Sequence, residues 1–339
     1  MDFGAFINSQ RLSEDMETKD VLRNAIDLAK LAEEVGYSIA WFPEHHLIHY
    51  VTSPSPLMMV LKASTETSRI RLGTAIAVAP YYHPIRLAGE AALVDQLIDG
   101  RLELGMGRGA VNYELNRFGV DAALASKRFY ESAKIVQRLL HEEEVSSDGP
   151  TWPFETLTTV PRPLQADFPP MWVAARSPET IRWCVANDMN VMTNIGWAEP
   201  YDAIVKVFQL FEDAIAEIKP VRRPKFAVSR VTYVGETDEE ALEAMKYAQV
   251  NSRIFTRLFR NEVTIERGFP RPDPLEGEAT PEHLFKTLIA GSPETCIAKL
   301  KSYEALGIDH FMTFIIGPTP EAARKSVRLF GEKVMPHFK

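Results

Sequence analysis

The feature that most constrains this chain is its rhythm. Short apolar runs of strand length alternate with segments whose apolar residues recur at helical spacing, from the first residues almost to the last. Residues 3–7 read as a buried strand, and Leu22, Ala25, Ile26, Ala29 and Ala32 then keep helical spacing until Gly36 supplies a stop. The pattern predicts further strands over 38–42, 70–78, 101–105, 171–175, 190–193, 225–234 and 310–315. Helices are predicted over 56–66, from His83-Pro84 to Asp99-Gly100, and over 122–140, 178–187, 201–218, 238–249 and 293–306. Strands separated by helices must run parallel. Eight such units without a linker fit a closed (β/α)8 barrel, a TIM barrel with insertions, better than an open sheet. One α/β domain over 1–339 is the expectation.

Composition removes several function classes. With 45% hydrophobic and 25% charged residues the chain is globular. A net charge of −8 provides no cationic field for a phosphate backbone, so nucleic acid is not an expected partner. There is no run of about 18 apolar residues and no basic leader ahead of an apolar stretch, which predicts no membrane association and a cytoplasmic location. Cys184 and Cys296 lack CxxC partners and read as buried thiols.

Two stretches interrupt the rhythm. Residues 146–170 carry Gly149-Pro150, Pro153, Pro161, Pro163 and Pro169-Pro170, the mark of a loop or edge hairpin. Residues 251–280 hold Arg253, Arg257 and Arg260 and then a proline-rich run, and read as an active-site lid or as a solvated connection. The tetrapeptide Ser-Pro-Glu-Thr occurs at 177–180 and again at 292–295, each time as a helix start with Ser as N-cap.

Catalytic groups of a barrel sit where strands end. After the second strand come Glu44, His45 and His46, a carboxylate and two imidazoles, of which one imidazole is expected to face the cavity. His45 is the candidate general base or proton shuttle; a packed strand-end histidine is the bland alternative. A metal reading lacks further ligands at HxH or HExxH spacing, so no metal is expected. After the third strand the small residues Gly73, Thr74 and Ala75 allow a flat group to approach the backbone. After the fourth, Gly105-Met106-Gly107-Arg108-Gly109 combines turning freedom with a guanidinium. After the fifth, Arg176, Ser177 and Thr180 sit at a helix N-terminus, a ready phosphate site, with Gly291-Ser292 the second choice. Arg108 and Arg176 on neighbouring strand ends suggest one phosphate held between them. Asn112 and Tyr130 read equally as ligand contacts or as a loop turn and a helix core residue. Trp41, Phe6, Tyr81, Tyr82, Trp197 and Phe314 could line an apolar pocket, although most barrel aromatics are core.

These residues together resemble the bacterial-luciferase-like flavin-dependent monooxygenases. The resemblance runs through most of the chain: Phe3-Gly4, Glu44-His45-His46, Gly73-Thr74-Ala75 with His83-Pro84, Asp99-Gly100-Arg101, the loop from Gly105 to Gly109 with Phe118-Gly119, and Ser177-Pro178. It implies a (β/α)8 barrel, often a homodimer or other homo-oligomer. Such a barrel takes FMN as FMNH2 from a separate flavin reductase, forms a C4a-hydroperoxide with O2 and oxygenates a small organic substrate. His45 matches the catalytic histidine. Thr74 and Ala75 match the segment against the isoalloxazine, which often contains a nonprolyl cis peptide, and Arg108 and Ser177 match phosphate contacts. The expected cofactor-contacting set is Glu44, Thr74, Ala75, Arg108, Asn112, Tyr130, Arg176, Ser177 and Thr180. Two departures stand out: Gly107 replaces the reactive cysteine of the luciferase α subunit and Arg176 replaces an acidic residue, which speaks against light emission from a long-chain aldehyde. The rival expectations are an F420-dependent hydride-transfer enzyme in a related barrel and a non-catalytic flavin-binding subunit. A barrel hydrolase lacks a nucleophile elbow here.

Overall fold

The computed structural model describes residues 1–167 and 170–338; Phe168, Pro169 and Lys339, and with Pro169 part of the Pro169-Pro170 pair, lie outside the described residues. Eight parallel strands close into a barrel: β1 (Asp2–Phe6), β2 (Ile39–Phe42), β3 (Arg71–Thr74), β4 (Leu102–Gly107), β5 (Met171–Ala174), β6 (Asn190–Asn194), β7 (Phe226–Val234) and β8 (His310–Ile315). Each pairs with its sequence neighbours, and β1 with β8 closes the ring. All eight fall where the alternation predicts them, with ends moved by a residue or two. The third run is the exception. It breaks after Thr74, the Ala75–Ile76 peptide is cis, and Ala77–Val78 resumes pairing with β4. A short strand, Ile289–Gly291, adds to the far end of β7, where Thr232 faces Ile289 on one side and Ile315 on the other.

The helices form the outer layer: α1 (Thr18–Val35), α2 (Pro56–Ser64), α3 (Pro84–Leu97), α4 (Asn112–Arg117), α5 (Ala125–His141), α6 (Pro178–Ala186), α7 (Tyr201–Ile218), α8 (Asp238–Arg260), α9 (Pro281–Thr287), α10 (Pro293–Leu306) and α11 (Pro320–Leu329). The sequence reading omits α4, α9 and α11. The first two are single polar turns with one fully buried leucine each, Leu115 and Leu284, too short to show a period. The reading also ends α8 at 249, whereas the helix runs to Arg260 with Ile254 and Leu258 buried at helical spacing. Its arginines made this stretch look like a loop, yet they bind the chain that returns along the helix. Arg253 pairs with Glu278 and bonds the Pro272 carbonyl, and Arg257 bonds the carbonyls of Asp273 and Pro274. Within 146–170, Val145–Ser147 pairs antiparallel with Phe154–Leu157.

The inside of the barrel is filled by two indoles. Trp41 and Trp172 meet edge-to-face at 5.7 Å and 84°, and Trp41 Nε1 donates to His310 Nε2 at 3.0 Å. Burial holds the His310 imidazole neutral, its pKa pushed down to about 3, so that nitrogen accepts. Trp172 Nε1 donates to Glu103, which also takes Arg71. Space for the indoles exists because Gly4 and Gly73 carry no side chain; a Cβ at either position would run into Trp41. Gly105 is bound more tightly still. Its Cβ would collide with the Thr74 carbonyl, while Thr74 Oγ1 donates to the Gly105 carbonyl at 2.7 Å and accepts from its N–H at 2.9 Å.

Backbone against backbone cannot relax. Gly105→Ala is expected to cost roughly 1–3 kcal/mol of stability as an overpacked site. Gly89→Ala, in the interior of α3 with nothing within 4 Å of its Cβ, is expected to gain roughly 0.5–1 kcal/mol. Denaturant unfolding of both variants checks the pair; equal effects would contradict the assignment.

Candidate active site

The C-terminal ends of the strands surround an open mouth. Ala174 and Asn194 end β5 and β6 and are exposed, although they belong to a closed barrel. Two residues earlier, Trp172 and Met192 pack into the barrel interior, so the alternation aims Ala174 and Asn194 into the cavity above it. The side of the mouth formed by β3, β4 and β5 is built of small groups: Ala75, Gly107 and Ala174, with Ile76 lying against Gly107. This is room for something flat. Thr74 lies beneath, fully buried, with its hydroxyl committed to Gly105.

The loop after β2 carries two imidazole–carboxylate pairs. His45 Nδ1 bonds Glu114 Oε1 at 2.9 Å, and the same oxygen accepts the His46 backbone N–H at 3.0 Å. His46 Nε2 bonds Glu44 Oε1 at 2.7 Å, and Glu44 Oε2 accepts from the Val78 N–H at 2.8 Å and from Tyr82 OH at 3.1 Å. The Glu44 side chain has no exposed surface. It fixes the loop to the broken third run. His45 keeps 18% of its side chain exposed. Burial alone would depress the imidazole, but the charge and hydrogen bond of Glu114, with Glu44 beyond, outweigh it and raise the pKa above the ordinary histidine value. Both imidazoles are braced by carboxylates, where the sequence leads one to expect one imidazole facing the cavity and the other braced by backbone or packing.

The second constellation opens α6. Ser177 caps the helix, accepting from the Thr180 N–H at 3.2 Å, and Thr180 Oγ1 bonds Ser177 Oγ at 2.9 Å and Tyr130 OH at 2.8 Å. Arg108, at the end of β4, is exposed; its Nη1 lies 3.5 Å from Ser126 Oγ, and its charge acts on Tyr130. These groups surround a helix N-terminus whose first turn is open to solvent. Arg176 has a different partner, Glu199, at 2.8 and 3.0 Å. The two arginines therefore have different contacts within the chain. Asn112 is half-buried at the start of α4, its N–H donating to Asn261 Oδ1 at 3.0 Å. The twin tetrapeptide at α10 is already filled: Asp238 accepts from the Ser292 N–H at 2.7 Å and from Thr295 Oγ1 at 2.9 Å. An acidic side chain occupies the place where a phosphate would bind, which removes Gly291-Ser292 as second choice.

Glu114, Glu199 and Asp238 were missed because nothing in sequence links them to their partners; Glu114 lies 69 positions from His45. Among the described residues no cluster of three or more His, Cys, Asp or Glu is placed to hold a metal ion, and no helix is long and apolar enough to cross a membrane. Cys184 and Cys296 are free and buried, and burial pushes both thiols up, that of Cys296 to about 12.

A family model described as luciferase-like monooxygenase matches residues 1–310. The chain is 33% identical over 349 residues to the oxygenase component of the flavin-dependent trigonelline monooxygenase of Acinetobacter baylyi, an alignment covering 100% of this chain and 96% of that one. Among solved structures, monooxygenase RslO1 from Streptomyces bottropensis superposes with a TM-score of 0.87 at 24% identity, with full coverage of both chains. Two others share the fold at a TM-score of 0.79. One is the oxygenating constituent of 3,6-diketocamphane monooxygenase from Pseudomonas putida in complex with FMN (20% identity, 99% and 98% covered). The other is an F420-dependent secondary alcohol dehydrogenase in complex with an F420-acetone adduct (18% identity, 100% and 99% covered).

A raised folded pKa means that the His45–Glu114 pair stabilises the fold fully below the unfolded histidine value of about 6.5 and loses that contribution as pH rises through the folded value. Glu114→Gln leaves burial with much less opposition. The His45 imidazole is then expected to titrate below its wild-type value, followed by NMR of its ring protons. An unchanged titration would show that Glu114 does not set it.

Proposed function

The chain belongs to the luciferase-like monooxygenases, and from that premise we propose that it is the oxygenase of a two-component system. It would receive FMNH2 from a separate flavin reductase and use it with O2 to oxygenate a small organic substrate, working as a homodimer or other homo-oligomer. The observation that carries this reading is the contrast between the two Ser-Pro-Glu-Thr helix starts. One is closed by Asp238; the other is open, ringed by Ser177, Thr180, Tyr130 and Arg108, and adjoins the small-residue side of the mouth. A phosphate at one end and a flat ring at the other is what FMN requires.

In this reading Arg108, Ser177 and Thr180 hold the phosphate, with Tyr130 orienting Thr180, while Ala75, Gly107 and Ala174 form the bed of the ring. Bound reduced flavin supplies the electrons that activate O2; the protein positions the reactants and keeps water out. His45, with Nδ1 engaged by Glu114, has Nε2 left for the reacting groups. Its raised pKa favours the imidazolium, so donating a proton from Nε2 is the better-supported half of the proton-shuttle role. Glu44, His46 and Tyr82 keep that loop in place. A cover is available in the segment after α8. The His49 N–H donates to the Gly268 carbonyl at 2.7 Å, and Phe269 packs on His49 at 4.2 Å and beneath Arg11 at 5.0 Å. We assign this segment the lid role within 251–280.

Anaerobic titration with FMNH2 tests the proposal, followed by mixing with oxygenated buffer. Arg108→Ala and Ser177→Ala are each expected to weaken FMNH2 binding about ten-fold, as for a lost hydrogen bond to a charged group, and to leave reduced riboflavin unaffected. His45→Ala is expected to lower turnover by about 10²-fold with flavin binding retained. Binding of reduced F420 in place of FMNH2 would overturn the chemistry, and unchanged turnover in His45→Ala would favour a non-catalytic subunit.

A further inference from the structure

The side of the mouth opposite the small-residue bed has a different chemistry. Gly4 of β1 faces Trp41 and His310 inside the barrel, so Phe6, two residues on, also faces inward. Its register partner on β8 is Phe314, two residues past Met312 of the same interior cluster. The two rings stack at 4.8 Å and 14°. Trp197, from the chain after β6, stands edge-on to Phe314 at 5.5 Å and 69°, and Phe255 of α8 lies 6.2 Å beyond it. Phe314 and Trp197 are buried, but Phe6 is only half-buried and bridges this aromatic group and the barrel interior.

Unpartnered polar groups lie on or just past the strands that carry and flank the rings. Ser229 of β7 is 5% exposed and faces inward, two residues past Ala227 of the interior cluster, and its Oγ has no hydrogen-bond partner among the described residues. Asn8, two residues past Phe6, has both side-chain amide atoms buried and without a partner. Buried polar atoms are nearly always satisfied in a folded protein. A hydroxyl and a carboxamide left free beside an aromatic wall point to a ligand with a ring and a hydrogen-bonding substituent.

We infer that the rim formed by Phe6, Phe314 and Trp197 binds the substrate as a flat aromatic ring, with Asn8 and Ser229 taking its polar substituent. The inference rests on the reading that reduced flavin lies on the opposite, small-residue side, which places the ring between the aromatic wall and the flavin. A saturated ring of the same atoms is too thick to stack and presents no π-face. No cation belongs to this set of residues, so the substituent is matched to neutral donors and acceptors and not to an ion pair.

The test uses benzamide and cyclohexanecarboxamide, which share heavy-atom connectivity and charge and differ in flatness. Binding to the full-length protein is measured by saturation-transfer NMR under anaerobic conditions, with and without FMNH2. Benzamide is expected to bind about ten-fold more tightly than the saturated amide. Phe314→Leu, which keeps an apolar side chain and removes the ring, is expected to bring the ratio near one, and Ser229→Ala to weaken benzamide several-fold. FMNH2 affinity is expected to stay at its wild-type value, and a cooperative unfolding transition, at a lower midpoint for Phe314→Leu because that ring is buried and stacked, shows that the variants are folded. Equal binding of the two amides, no binding of either, or a ratio that survives Phe314→Leu overturns the inference. Failure of the flavin reading is separate: FMNH2 is then not taken up, while the amide ratio is still read on the protein alone.

Discussion

Two indoles crossing inside the barrel set the depth of everything above them. Trp41 and Trp172 come from strands on opposite sides of the small-residue pair β3 and β4, and their edge-to-face contact fills the interior from wall to wall. That contact requires glycine at 4 and 73. It also requires partners for two buried N–H groups, and the interior provides them as an uncharged His310 and a Glu103 anchored by Arg71. With the lower half sealed, whatever binds must bind near the strand ends, where loop chemistry is available.

The loops at those ends are held by buried carboxylates. Glu44 ties the chain after β2 to the broken third run through His46, Val78 and Tyr82; Glu114 ties it to α4 through His45 and the His46 backbone. A carboxylate under the barrel rim is costly unless fully satisfied. Here each has at least two donors, so the same contacts that offset burial also fix the orientation of the imidazoles. The two roles are coupled. The charge and hydrogen bond of Glu114 that orient the His45 imidazole also raise its pKa.

Much of this was legible in the sequence, and the boundary of what was legible has a physical basis. Strand and helix periods are local, so the eight strands and the ring closure followed from them, as did the helix start at Ser177 and the histidines at the end of β2. Contacts between distant residues were not legible. His45 meets Glu114 and Arg176 meets Glu199 only after folding, and counting charges at strand ends does not reveal their counter-ions. The arginines of α8 hid the end of a helix: in a stretch read as a lid or a solvated connection, Arg253 and Arg257 line its last turns and bind carbonyls and a carboxylate of the returning chain. The two identical tetrapeptides make the point most directly, since their difference lies in Asp238, more than fifty positions away from the helix start it closes.

The mouth is therefore asymmetric for a reason that can be traced around the ring. β3, β4 and β5 reach the rim with alanine and glycine, and β4 cannot do otherwise at Gly105, because Thr74 approaches it too closely for a side chain. β1 and β8 lie on the far side of Trp41, where register places Phe6 beside Phe314 with nothing to displace the rings. The small side can admit a large planar group only by lying open, and the aromatic side can contribute affinity only by being packed. In the proposed reading this asymmetry lets shape discriminate between two ligands before any charge is involved: the larger flat group would go where side chains are missing, and the smaller one where rings are already stacked.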